Sequence, residues 1–365
     1  MLRQIIVAFW ALCAWPVLGQ TQVFLVGNEG VDAPECGWTG HRCRSISQAI
    51  RNAADGDAVF VEAGVYGDLN RNGIIGEPGE ETGGEIAGGS SCECLVHIDK
   101  RVTILSERGA SATIIDTAST GLVGVTVDGE GAAFGYTGMG FTVLAPSKGS
   151  VEIPGTGIGP SVGIRLGVPS TIAGNRIVGL VHDLDFEDRH SLGVESVAGG
   201  DIYDNEVSGF QYGIKAVASR IAGNVMTRND YGLWIANSPL APPAVVEDNV
   251  IADNRVGIEI RVGVGLLGIT GNDVLYNKYV GIQQLAGTSN AHLNPSVVLQ
   301  DNNIIGNGYD NVHGNCGLTN DSHGGFIWAA YNYWGALGTS DRACEESGQI
   351  QIDPVRLQPD SRVSN

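Results

Sequence analysis

Val246-Glu-Asp-Asn-Val-Ile251, followed by Asn254 and then by Gly257-Ile-Glu259, is one copy of a phrase that recurs along the second half of this 365-residue chain. Its other copies are Thr171-Ile-Ala-Gly-Asn-Arg-Ile177, Asp201-Ile-Tyr-Asp-Asn-Glu-Val207, Arg220-Ile-Ala-Gly-Asn-Val-Met226, Ile269-Thr-Gly-Asn-Asp-Val274 and Leu299-Gln-Asp-Asn-Asn-Ile304. The shared asparagines are Asn175, Asn205, Asn224, Asn249, Asn272 and Asn302, and Asn332 adds a seventh in Tyr331-Asn-Tyr-Trp-Gly335. Successive gaps are 30, 19, 25, 23, 30 and 30 residues. A second asparagine often follows five residues later (Asn229, Asn254, Asn277, Asn307), and then a glycine with an aliphatic neighbour. A fixed unit with variable insertions predicts a solenoid, and short β segments make it a β-helix. Stacked turns leave backbone groups that cannot all pair, and amides stacked coil on coil can bond to one another there.

Composition agrees. Glycine is abundant (54) and aromatics are few (7%), as suits a turn-rich coil held by aliphatic stacks. A solenoid grows by adding coils, so one elongated, monomeric domain is expected. The formal charge of −19 predicts repulsion from nucleic acid and anionic membranes, and attraction for cations. Lys100, Lys148, Lys215 and Lys278 are the only lysines.

Residues 1–19 read as a secretory signal: Arg3, an apolar run from Ile5 to Leu18, and Val17-Leu-Gly19 before a cut near Gln20. The apolar run is shorter than the ~20 residues of a membrane span. Export of a soluble chain follows, secreted or periplasmic, and losing Arg3 takes its charge from −19 to −20. Six cysteines then remain: Cys36, Cys43, Cys92, Cys94, Cys316 and Cys344. An even count in an exported chain suggests disulfides. Proximity favours Cys36–Cys43 and Cys316–Cys344. Cys92-Glu-Cys94 is left with a bridge strained by the alternation of extended chain, or with a metal site near His97.

Along the chain, residues 20–66 hold the first strands and a helical pattern, with Ile46, Ala49, Ile50 and Ala53 on one face and Ser45 as N-cap. Such a helix can cover the open end of a solenoid. Residues 67–94 are a Gly-rich acidic insertion, 95–355 are coils, and 356–365 are a polar tail.

The opening (Cys36…Cys43-Arg-Ser-Ile46, Ala53-Ala-Asp-Gly-Asp57, Val59-Phe-Val61, Gly64-Val-Tyr66), the asparagine repeats and Asn332-Tyr-Trp-Gly335 resemble the secreted right-handed parallel β-helix superfamily, the pectate-lyase-like fold. The resemblance implies an all-β chain with three parallel sheets per coil and asparagines between the second and third. It also implies that the outer face of the first sheet would carry a substrate groove. Function stays open, because this fold hosts lyases, hydrolases, epimerases, tailspikes and adhesins.

If the asparagine marks that turn, the Gly–aliphatic pair eight or nine residues later starts the first sheet, and the next residue faces out. This gives Arg165, Glu195, Lys215, Trp234, Glu259, Gln283 and His313, with Arg261 two residues past Glu259. An aromatic platform among charged and amide groups suits a sugar chain. The competing account is that outward rungs are polar because they are wet, and that charges of alternating sign block sheet association.

Two segments could hold Ca2+. Leu180–His190 contains His182, Asp183, Asp185, Glu187, Asp188, Arg189 and His190, dense in carboxylates and with a general acid or base in His190. Asp68-Leu-Asn-Arg-Asn-Gly73 matches the first half of a Ca2+ loop through Asp68, Asn70 and Asn72. Its expected bidentate Glu falls at Gly79, and Glu80 is one place late.

β-Elimination on a uronate needs a cation at the carboxylate, a base, and a donor to the leaving oxygen. Arg165, Lys215, Arg261 and bound Ca2+ could supply them. The signature motifs of pectate lyases and polygalacturonases are missing, so no catalytic residue transfers from a named family. The expectation is an exported β-helix that binds a polysaccharide along its first sheet, with Ca2+-assisted lyase activity as the enzymatic version. A non-catalytic adhesion or structural module is the alternative.

Overall fold

A computed structural model describes residues 21–86, 90–145, 152–153, 157–158, 161–179, 191–217, 219–236, 243–261, 266–285, 296–310, 316–321, 326–335, 343–345 and 349–359. The signal segment, the Leu180–His190 loop and His313 lie outside the described residues.

Each coil visits three sheets in turn. Tyr212–Val217 lies in the first, Ser219–Ala222 in the second and Val225–Thr227 in the third, and Tyr231–Ala236 then returns to the first. Among the described residues the sheets have ten, twelve and nine strands, and every pairing within them is parallel. Register does not drift: Val207, Met226, Ile251, Val274 and Ile304 stack one above another in the third sheet. Ile202, Ile221, Val246, Ile269 and Leu299 do so in the second. All are buried in one continuous core. A parallel β-helix results, because identical phrases can bury their aliphatic face only against their own copies.

The seven asparagines form a ladder between the second and third sheets. Nδ2 of each donates to Oδ1 of the next, from Asn175 to Asn332, at 2.9–3.1 Å. The same Oδ1 accepts the backbone N–H of the asparagine before it; Asn249 Oδ1 is 2.9 Å from the Asn224 nitrogen. Asn249 Nδ2 also reaches the Ile221 and Glu247 carbonyls, each at 2.9 Å. A buried amide with all its groups paired costs little and fixes the turn. A second ladder, Asn229–Asn254–Asn277–Asn307, runs between the third sheet and the first.

The residue before each first-ladder asparagine is left-handed. Gly174, Gly223 and Gly271 have φ of 64–68°, Asp204, Asp248 and Asp301 have φ of 54–55°, and Tyr331, before the last asparagine, has φ of 62° despite its bulk. Only Gly, Asp and Asn reach that region at small cost, which accounts for the recurring Gly-Asn and Asp-Asn pairs. The glycine that opens each first-sheet strand has a different cause. A Cβ on Gly213 would sit 2.6 Å from the Gly232 carbonyl oxygen and 2.8 Å from Asn229 Nδ2.

Near the amino end, the helix Ile46–Asn52 packs against Val23–Val26, Ala58–Val61 and Cys94–Ile98. Ile46, Ala49, Ile50 and Ala53 are buried, as the spacing predicts. Ser45 caps it by accepting from the Gln48 N–H at 3.1 Å. The buried Glu81 carboxylate accepts from the N–H groups of Ile46 (3.0 Å) and Ser47 (2.8 Å). At the other end Lys100 Nζ donates to the carbonyls of Ile50, Arg51 and Ala53. The helix is thus tied to the solenoid at both termini, where its own backbone groups go unpaired.

Disulfides join Cys36 to Cys43 and Cys316 to Cys344. Cys92 and Cys94 are bridged as well, with Cα atoms 5.1 Å apart. The objection to that bridge assumed extended chain. Glu93 between them has φ of 56°, a turn that brings the two side chains to one side.

Candidate functional site

The outward row of the first sheet exists in unbroken register. Arg165 pairs with Glu195, Glu195 with Lys215, Lys215 with Trp234, Trp234 with Glu259 and Glu259 with Gln283. The next rung corrects the sequence reading. Thr319, not His313, stands opposite Gln283, because an insertion delays the Gly317-Leu318 pair that opens this strand. In the other direction the row continues through Thr126 to His97. His97 Nε2 lies 2.8 Å from Asp128 Oδ2.

Within the row, charges are matched rung to rung. Glu195 lies between two cations: Arg165 Nε at 3.0 Å and Lys215 Nζ at 3.5 Å. Lys215 Nζ also sits 5.6 Å from the centre of the Trp234 ring, a cation–π contact that holds the ring in place. Glu259 accepts from Arg261 Nε at 2.6 Å and from Gln283 Nε2 at 2.7 Å. Its side chain is only 1% exposed, whereas Arg261 keeps 41% of its surface and Lys215 and Arg165 each keep 37%. Glu259 is therefore a buried anchor, and the three cations are the groups a ligand would meet. Trp234 is half-buried rather than fully exposed, since Lys215 covers part of it.

A second outward row was not anticipated. Tyr212 and Tyr231 stack with ring centres 4.9 Å apart. Val256, Val280 and Cys316 continue the line as a small apolar cluster separate from the core, with Tyr231 and Cys344 against it. Alternation from Ile214 would turn Tyr212 inward, but the pairing passes over Gly213. The ring is thereby set on the outer face. Burial pushes both phenols above the usual tyrosine value; the neighbouring Tyr231 raises Tyr212 further, and the negative Glu259 nearby raises both. The face thus offers two stacked tyrosines, a tryptophan and three partly open cations, two of them on Glu195 and one on the buried Glu259.

The other predicted residues are placed differently. Asp68, Asn70, Asn72 and Glu80 come together in the insertion, not on the first sheet. His190, Asp183, Asp185 and Asp188 lie outside the described residues. Among the described residues no three His, Cys, Asp or Glu side chains converge to hold a metal, so a cation site there must draw on amide or carbonyl oxygens. A cleft of about 120 Å³ opens beside His97 against the helix residues Ser47, Ile50 and Arg51, but its Lys100 is committed to the helix carbonyls.

Residues 159–298 match the family described as right handed beta helix region. No curated protein matches the sequence. Two solved structures share the fold. Pectate lyase Pel9A is 12% identical with a TM-score of 0.56, over 95% of this chain and 82% of that one. Dettilon tailspike protein (gp208) is 13% identical with a TM-score of 0.54, over 90% of this chain and 68% of that one. The chain is a right-handed parallel β-helix with the pectate-lyase-like fold.

Proposed function

We propose that this is an exported protein that binds a polysaccharide along the outer face of its first sheet. One observation carries the reading: Trp234 stands in register between Lys215 and Glu259 on a continuous face that also bears Arg165, Arg261 and the Tyr212–Tyr231 stack. Rungs repeat at about 4.8 Å, so the row presents polar groups at steps that suit an extended chain of sugars. The aromatic faces take the apolar side of a sugar ring, and the cations take carboxylates or hydroxyls.

The uronate class is favoured by the cations. A chain of net charge −19 repels a polyanion in general, so Arg165, Lys215 and Arg261 supply the local attraction. That a protein named a pectate lyase is built on the same coil supports a polysaccharide-handling face without assigning a reaction. Elimination is the second reading, and the placement of Lys215 on Trp234 with Arg261 on the neighbouring Glu259 favours it. In that version Lys215 or Arg261, in its deprotonated form, would take the proton beside the carboxylate. Water or a protonated neighbour would supply a proton to the leaving oxygen, and a bound Ca2+ would neutralise the uronate. Export is supported by the amino-terminal segment and the three disulfides. The helix Ile46–Asn52 would close the amino end of the solenoid and keep it monomeric.

Incubation of the purified protein with neutral and uronate polysaccharides, with and without Ca2+, tests both readings. Retention of a uronate polymer without unsaturated product leaves a binding module; product formation makes it a lyase. Failure to retain any polysaccharide removes the proposal.

A further inference from the structure

We propose that residues 68–80 form a Ca2+-binding loop that fastens the insertion to the first coils of the solenoid. This site is separate from the face that carries Trp234 and does not depend on it.

Asp68, Asn70 and Asn72 alternate along one tight turn. Asp68 is 1% exposed. Its Oδ2 accepts from the Gly73 N–H at 2.7 Å and from Ser119 Oγ at 2.8 Å, and its Oδ1 from the Asn72 N–H at 3.2 Å. Asn70 Oδ1 accepts from the Asn72 N–H at 2.9 Å, and Asn72 Oδ1 from the Ile74 N–H at 2.7 Å. Each amide oxygen keeps a second lone pair. Nδ2 of both asparagines donates to Glu77 Oε2, at 2.6 and 2.8 Å, so Glu77 orients the two amides. Such bonds alone could belong to any turn.

Glu80 supplies the independent observation. It is 4% exposed, and its Oε1 accepts from the N–H groups of Leu69 (3.1 Å) and Asn70 (3.4 Å). The one-residue offset from the usual acidic position therefore does not remove it from the loop; its carboxylate lies against the loop's second and third residues. Its other oxygen, Oε2, is buried and has no hydrogen-bond partner. A buried carboxylate oxygen without a donor is costly. Arg71 does not relieve it, since that guanidinium is 68% exposed and directed to Asp116 at 3.2 Å. A cation from solution would. Mixed carboxylate and amide oxygens at alternate positions suit Ca2+, which takes six to eight hard oxygens in flexible geometry. Asp68 and Glu80 together balance its charge.

Location gives the ion a consequence. Ser119 lies in the turn after Thr113–Asp116, on the second coil of the third sheet. Glu81, the next residue after Glu80, anchors the helix at Ile46 and Ser47. An ion at Glu80 thus links helix, insertion and second coil, and its binding adds to the stability of this end by mass action.

The test is calorimetric titration of the metal-free, disulfide-intact protein with CaCl2, alongside thermal unfolding in EDTA and in millimolar Ca2+. The expected result is one bound Ca2+ per chain and a melting temperature that rises with its concentration. Glu80→Gln should weaken Ca2+ binding by about tenfold or more. It should melt no lower than wild type in EDTA, because it removes an unpaired buried charge; a purely structural Glu80 would lower it. Asp68→Asn should likewise lose affinity, and if it does not fold, wild type and Glu80→Gln decide the matter. Trp234→Ala should bind Ca2+ as wild type does, which keeps failure here distinct from failure of the sheet proposal. No heat of binding with unchanged melting in EDTA, or full affinity in Glu80→Gln, would overturn the assignment.

Discussion

Asn249 Nδ2 donates to Asn272 Oδ1 at 2.9 Å, across a sequence separation of 23 residues. The bond is one step in a buried ladder, so its loss cannot be made good by water. Replacing Asn249 with Leu also strips Asn224 of the acceptor for its N–H and its Nδ2. The expected cost is about 2 kcal/mol or more, read as a fall in the denaturant midpoint with unchanged slope. A change within about 0.5 kcal/mol would count against the ladder as a source of stability.

Two glycines should respond in opposite directions. Gly213→Ala forces a methyl against the Gly232 carbonyl oxygen at 2.6 Å and should cost about 1–3 kcal/mol. Gly268, in the second sheet, has open space around an added Cβ, so Gly268→Ala should be neutral or stabilising by up to about 1 kcal/mol through the unfolded chain. Paired chemical denaturation curves check both.

Arg261 should matter to stability as well as to any ligand. Arg261→Ala leaves the buried Glu259 with Gln283 alone, and a loss of about 1–3 kcal/mol is expected. Arg261→Lys should recover part of it, but not the Nε geometry. If elimination takes place on this face, Arg261→Ala should abolish unsaturated product while polymer retention persists.

Alkaline titration reports on the tyrosine stack. Burial raises the phenol pKa of Tyr212 and Tyr231 above the ordinary 10.0. The stability tied to these groups is therefore fully present below pH 10.0 and is lost as pH climbs through their folded values. Tyrosinate absorbance should show a late-ionising component that shrinks in Tyr212→Phe and in Tyr231→Phe. A late component unchanged in both variants would contradict the placement.

How much of this was legible follows from how often an environment repeats. The ladder asparagines and the row from Arg165 to Gln283 recur in near-copies, so spacing and alternation suffice to place them. Tyr212 and Tyr231 were missed because Gly213 and Gly232 interrupt the alternation on which that reading relies. Thr319 was missed although Gly317-Leu318-Thr319 repeats the pattern, because an insertion carries it past the usual distance from Asn302. His97 lies in the early coils, which lack the asparagine phrase. Glu80 looked misplaced by one residue because loop position in sequence is a poor guide to where a long side chain ends.

The most direct test of the sheet proposal compares two tryptophans. Trp234 lies on the first sheet, and Trp328, 42% exposed, lies on the second. Affinity for a uronate polysaccharide should be measured for wild type, Trp234→Ala and Trp328→Ala at one ionic strength. The account predicts a loss of about tenfold, or about 1.4 kcal/mol, for Trp234→Ala and none for Trp328→Ala. Equal affinities in all three proteins, or the loss falling on Trp328→Ala instead, would contradict it.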